Sequence, residues 1–155
     1  MNEEKATDLV LIQSPGVILG IDPGVNTGVA VFIKGNLSHL ETISPGDLDN
    51  FISLIKPDRI VFEDSRLQSY TWTSVKSRPA ALKMARNIGE IDAWCRLITI
   101  ICERLSISAH GISPKSKGEK LDAEIFGKVT GWKGKTNQHE RDAAMIAWPY
   151  RKAHG

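Results

Sequence analysis

The segment from Val17 to Ile33 constrains this chain more than any other. Two apolar runs, Val17-Ile18-Leu19-Gly20-Ile21 and Val29-Ala30-Val31-Phe32-Ile33, enclose a turn rich in glycine and small polar residues, within which "GIDPGVNTG" carries a single aspartate. Both runs read as buried strands, so the segment is a hairpin with Asp22 at a strand end. A carboxylate at the rim of a sheet is either a turn-former or the first ligand of a site.

The rest of the chain extends this sheet. A loose leader over 1–15 ends at Ser14-Pro15-Gly16, and the single domain spans 16–155. After the turn at Gly35-Asn36 a third strand runs from Ser38 to Ile43, and a helix from about Asp47 to Ile55 stops before Pro57. Arg59 to Glu63 reads as a central strand, again with a carboxylate at its C-terminal end. A polar stretch from Asp64 to Arg78 carries Tyr70 and Trp72, and a long helix then begins around Ser77-Arg78-Pro79 and runs to about Leu105. Its apolar residues fall on two faces, one through Leu82, Ile91, Ile98 and Leu105, the other through Ala81, Met84, Ile88 and Cys95. Ile107 to Ile112 is a fifth strand, Lys117 to Val129 a helix, and Gly131 to Thr136 a flexible loop. His139 to about Lys152 forms a last helix interrupted by Pro149. This order predicts an α/β fold with a five-stranded mixed sheet, an antiparallel hairpin start and helices on both faces.

With 155 residues the chain has the length of one domain, and no run reaches the roughly 18 apolar residues of a membrane span. The acidic start Met1-Asn2-Glu3-Glu4-Lys5 is unlike a secretory signal, so a cytoplasmic location is expected. Cys95 and Cys102, about 10 Å apart along one helix, are expected to be reduced core residues. The net charge of +2 conceals a split: residues 1–65 carry 4 basic and 10 acidic side chains (−6), and residues 66–155 carry 16 and 8 (+8). An acidic site that grips cations inside surroundings that attract a polyanion would produce such a split, which makes nucleic acid a candidate partner.

Three carboxylates occupy comparable places. Asp22 ends the first strand, Glu63 ends the fourth, and Asp142 lies near the start of the last helix, with His139 one turn before it on the same side. If the first and fourth strands are neighbours, Asp22 and Glu63 face each other across about 4.8 Å and need a cation between them. Hard divalent ions, in pairs about 3.5–4 Å apart, can activate water and stabilise a leaving oxygen in phosphodiester hydrolysis. Each residue alone has an ordinary explanation in a turn, a strand end or a helix start; their joint occurrence does not. Asp64 and Asp92 read as structural, Asp92 on a solvated helix face, and Glu140 points away from the His139 and Asp142 side.

The stretches "GIDPGVNTGVAVF", "IVFEDSRLQ" and "HERDAAMIA" resemble, in order and spacing, the three motifs of the RuvC-type Holliday junction resolvases of the ribonuclease H-like superfold. The resemblance covers nearly the whole chain after the leader. It implies metal ligands at Asp22, Glu63 and Asp142, with His139 as the fourth member of the active site. Many relatives carry an aspartate where this chain has His139, and a histidine variant also exists. It further implies Mg2+, with Mn2+ as an alternative, two ions per site, branched DNA such as a four-way junction as substrate, and a homodimer whose two sites cut two strands. The rivals are an actin-like sugar kinase or ATPase, which needs two lobes where this chain has length for one, and a junction-binding module that does not cut.

The cations fit a DNA-binding role. Lys115, Lys117 and Lys120 crowd the expected start of a helix, where they oppose its dipole, and phosphate contact explains them better. Arg66, Lys76, Arg78, Lys83 and Arg86 form a run without acids, interleaved with Tyr70 and Trp72, a composition suited to gripping backbones and stacking bases. "WKGKT" is not a phosphate loop, since the required glycine is replaced by Val129 and no strand precedes it. The long helix, with Gly89 permitting close approach, is the expected dimer interface.

Overall fold

A computed structural model describes residues 16–68, 77–116 and 118–152. The expected leader over 1–15, and Tyr70, Trp72, Lys76 and Lys117, lie outside the described residues. Five strands, β1 (Val17–Asp22), β2 (Thr27–Ile33), β3 (Asn36–Ile43), β4 (Arg59–Glu63) and β5 (Ser108–Ile112), form one sheet in the order β3-β2-β1-β4-β5. The β1–β2 and β2–β3 pairs are antiparallel, and β1–β4 and β4–β5 are parallel, giving the expected mixed sheet. Four helices accompany it: α1 (Leu48–Ile55), α2 (Arg78–Leu105), α3 (Ala123–Thr130) and α4 (Gln138–Ala147).

Alternation along the strands divides the core in two. Leu19, Ile21, Val29, Val31, Ile60 and Phe62 point to one face and pack under α1 and α2. Ile18, Ala30, Phe32 and Val61 point to the other and pack under α3 and α4. Side chains two residues apart in a strand share a face, so Asp22 continues the Ile18-Gly20 row and Glu63 the Val61 row, both on the α4 side.

The strands are fixed at their ends by local devices. The Gly16 and Val17 N–H groups donate to Asp58 Oδ2 at 2.7 and 2.9 Å, tying the start of β1 to the start of β4. Lys34 (φ 50°) and Gly35 (φ 82°) form the two-residue β2–β3 turn, one residue earlier than expected, with both central residues left-handed as a primed turn requires.

One expectation for the helices needs correction. The segment after β5 is not helical over 118–122: Pro114–Ser116 form a 3-10 turn, and α3 starts only after Asp122, whose carboxylate accepts from the Ile125 N–H at 2.8 Å. Gly118 is a poor helix former, and the Asp122 carboxylate supplies the cap from which the helix starts. Lys115 and Lys120 therefore do not oppose a helix dipole. In α2, burial follows position along the helix rather than either stripe: Cys95, Ile98, Ile101 and Cys102 are buried, whereas Leu82 is 55% exposed and Ala81, Met84 and Ile88 are half-buried. The last helix ends at Ala147, and Trp148–Tyr150 continue as a 3-10 turn at Pro149. Both cysteines are free and buried, and burial pushes the Cys102 thiol up to about 11. No described helix is long and apolar enough to cross a membrane.

Helix α4 lies against β1 and β2 with almost nothing between them, because Gly20 and Gly28 present no side chain there. A Cβ at Gly28 would fall inside the His139 carbonyl group, and one at Gly20 would overlap the Ala143 carbonyl and come within 2.9 Å of the Ala147 Cβ. The glycine beside Asp22 in the sheet, Gly28, thus serves the seating of a helix rather than the approach of a substrate. Gly28→Ala is expected to lower unfolding free energy by about 3 kcal/mol in urea titration, at the upper end for overpacking, because backbone cannot move aside as a side chain can. Gly89→Ala, mid-helix with open space around it, is expected to raise it by about 0.5–1 kcal/mol.

Candidate active site

The four residues singled out from the sequence arrive from three directions. Ile21 pairs with Phe62, so the next residues along, Asp22 and Glu63, end adjacent parallel strands on the α4 side. The position of α4 is set by its first turn. Asn137 Oδ1 accepts from the Glu140 N–H at 2.9 Å while Glu140 Oε1 accepts from the Asn137 N–H at 2.9 Å, closing a capping box. Asn137 Nδ2 donates to Thr42 Oγ1 at 2.8 Å, anchoring the cap to β3. Glu140 therefore belongs to the cap. His139 is exposed and Asp142, three residues on, is only 5% exposed.

A cleft of about 470 Å³ at the C-terminal rim of β1 and β4 is lined by Asp22, Glu63, His139 and Asp142, together with Lys120 and Gln138 among others. Gln138 Nε2 donates to Asp142 Oδ1 at 2.7 Å, and Lys120 Nζ lies 3.8 Å from Asp142 Oδ2. Among the described residues no group of three His, Cys, Asp or Glu side chains could hold a metal ion as placed; the four line an open cleft. The carboxylates among them are the kind of donor that hard divalent ions take.

Beneath the cleft, on the α2 side, a second polar cluster has a structural role. Asp64, 5% exposed, accepts from the Arg66 N–H at 3.0 Å and from its Nε and Nη2 at 2.9 Å each, and Arg66 Nη2 also donates to Thr99 Oγ1 at 3.1 Å. Burial pushes the Asp64 carboxyl up, but the hydrogen bonds and charge of Arg66 outweigh it and hold the carboxyl below its ordinary value. Arg66 is thus already engaged within the fold. Asp92 is not on a solvated face as expected: it accepts from Ser65 Oγ at 2.6 Å. Ser65 itself lines the cleft, and Cys95 Sγ donates to the Glu63 carbonyl at 3.5 Å.

Of the other cations expected to meet DNA, Arg78, Lys83 and Arg86 stand on the exposed N-terminal half of α2, and Lys115 lies in the 3-10 turn after β5. Lys120 is the member of that set that lines the cleft. Gln138 and Arg141 were not singled out from the sequence. Arg141 joins three segments, donating through Nε to the Leu121 carbonyl (2.9 Å), through Nη1 to the Thr136 carbonyl (3.1 Å) and hydroxyl (2.9 Å), and through Nη2 to Gln138 Oε1 (3.1 Å). The Asn-x-x-Glu cap was readable in "NQHE"; the reach of Arg141 to Leu121 had no local signal.

No family model matches this chain, and no curated protein matches it. Among solved structures it is similar to T. thermophilus RuvC in complex with Holliday junction substrate, with a TM-score of 0.57 and 16% sequence identity over 85% of this chain and 90% of that one. The shared architecture is the ribonuclease H-like α/β fold, a five-stranded mixed sheet with helices on both faces.

Proposed function

We propose that the chain is a metal-dependent, structure-selective endonuclease that hydrolyses phosphodiesters in branched DNA, four-way junctions first among them, in recombination and repair. One observation carries the reading: carboxylates from two strand ends and one helix, with an imidazole beside them, line a single cleft at the rim where sheets of this kind bind ligands. The fold shared with a junction-bound RuvC supports it. Among the described residues there is one sheet, with no second lobe to close over a nucleotide, which weighs against an ATPase.

In this reading Asp22, Glu63, Asp142 and His139 would hold Mg2+ or Mn2+, two ions per site, and the ions would supply water activation and charge neutralisation at the phosphate. The chain's own groups do the rest. Paired strand ends fix Asp22 and Glu63 relative to each other, and the glycine-seated helix brings Asp142 to them. Lys120 places a positive charge at the rim, where it attracts the scissile phosphate. His139, exposed at the cleft, can complete the ligand set or give a proton to the leaving 3′ oxygen. Arg78, Lys83, Arg86 and Lys115, with Lys76 and Lys117, extend the basic surface along the DNA, and Tyr70 and Trp72 stack on bases at the branch point. A homodimer formed through α2 would present two such clefts to two strands.

Asp22→Asn, Glu63→Gln and Asp142→Asn are each expected to cut labelled junctions at least roughly a hundredfold more slowly, while junction binding without metal holds or tightens, because each change removes a charge that holds the cation and repels phosphate. Near-normal cutting by any of them at saturating magnesium would remove that residue from the ligand set.

His139→Ala is expected to be nearly inactive in both metals. His139→Asp restores an oxygen ligand and is expected to regain activity with magnesium and to narrow any preference for manganese, as read from rates in the two ions.

Sedimentation at micromolar concentration is expected to show a dimer. Leu82→Glu, on the exposed apolar part of α2, is expected to shift it to monomer without lowering the melting temperature.

A further inference from the structure

Asp142 is almost fully buried, and a carboxylate in that setting can turn about its last side-chain bond unless something fixes its plane. Gln138 stands one helical turn before it and donates from Nε2 to Asp142 Oδ1 at 2.7 Å. The other end of the same amide, Oε1, accepts from Arg141 Nη2 at 3.1 Å. A guanidinium can only donate and an ionised carboxylate can only accept, so the amide is polarised in one sense: oxygen toward Arg141, nitrogen toward Asp142. Arg141 in turn is held from outside the helix, by the Leu121 carbonyl and by both oxygens of Thr136.

We propose that Gln138 is a positioning residue that orients the Asp142 carboxylate for cation binding, and that Arg141 fixes Gln138 in the pose that does so. The inference rests on the nuclease reading and adds to it a line of control running from the segments around Leu121 and Thr136, through Arg141 and Gln138, to one ligand. Hydrogen bonds behind a metal ligand set its orientation, and their loss typically weakens metal affinity by about 10- to 100-fold. The competing role for Gln138 is packing at the helix start, where Nε2 also lies 3.5 Å from the Leu121 carbonyl. That role predicts a change in stability and none in metal affinity.

Calorimetric titration of the DNA-free protein with Mn2+ separates the two. Gln138→Met keeps the length of the side chain and its helix preference but cannot donate, and Gln138→Ala removes it; two variants guard against one failing to fold. Both are expected to bind Mn2+ at least roughly tenfold more weakly than the unaltered protein, with melting temperatures within a few degrees and metal-free junction binding unchanged. The Mg2+ concentration for half-maximal cutting should rise in parallel, with most of the rate regained at saturation. Arg141→Lys, which keeps the charge but loses the planar fork, should move Mn2+ affinity in the same direction by less. Mn2+ affinity within twofold of the unaltered protein in both Gln138 variants would overturn the proposal while leaving the nuclease reading intact. An unaltered protein that neither binds Mn2+ nor cuts junctions would overturn that reading, and this inference with it.

Discussion

The contact on which the site depends is one made by backbone. At Gly20 and Gly28 helix α4 rests on the sheet with its own carbonyl groups, at a distance no side chain would allow. Most helices stand about 10 Å from a sheet on a layer of interdigitated side chains, and such a layer tolerates repacking. Here there is no layer at those two points, so the height of α4 above β1 and β2 is fixed by van der Waals radii alone. Because the His139 carbonyl is the group that faces Gly28, and Gly28 pairs with Asp22, this close helix–sheet approach lies beside the cleft. Geometry that would otherwise require several well-packed side chains is obtained from two hydrogens.

Much of the fold was legible because its signals are local and periodic. Short apolar runs in Val17–Ile33 and Arg59–Glu63 gave the strands, and the parity of Asp22 and Glu63 follows from the two-residue period of any strand. The sequence argument failed where a cap decided a boundary, as Asp122 does by starting α3 after the Gly118 segment. It also failed where the partner is distant in the chain. Gly28 could not be understood without the His139 backbone, Asp92 without Ser65, or Arg141 without Leu121. The cleft's membership was open to reasoning from motif order, whereas the hydrogen bonds behind it were not, because amide and guanidinium groups serve equally well on any polar surface.

Charge is segregated around the sheet in a way the net value hides. On the α2 side Asp64 and Arg66 neutralise each other, and Asp49 is held below its ordinary carboxylate value mainly by its hydrogen bond to Arg104. On the α4 side the acids gather at the cleft, where Lys120 Nζ lies 3.8 Å from Asp142 Oδ2. Under the proposed nuclease function, a polyanion at this rim would meet acids whose repulsion must be offset, so that its binding and ion uptake would be coupled rather than independent events.

Helix α2 is built in two parts that differ in what holds them. Its second half is locked into the core by Cys95, Ile98, Ile101 and Cys102, while the half from Arg78 to Glu90 covers about 20 Å with no fully buried residue among those described. A free peptide of that length would be mostly coil, because starting a helix costs far more than lengthening one. The buried half acts as a permanent nucleus, and the exposed turns need only propagate from it, backed by Ser77 and Pro79 at the far end. Order in the overhanging turns is thus borrowed from the core and should decline toward Arg78, so that Arg86 is presented more rigidly than Arg78, and a graded stiffness is written into one continuous helix.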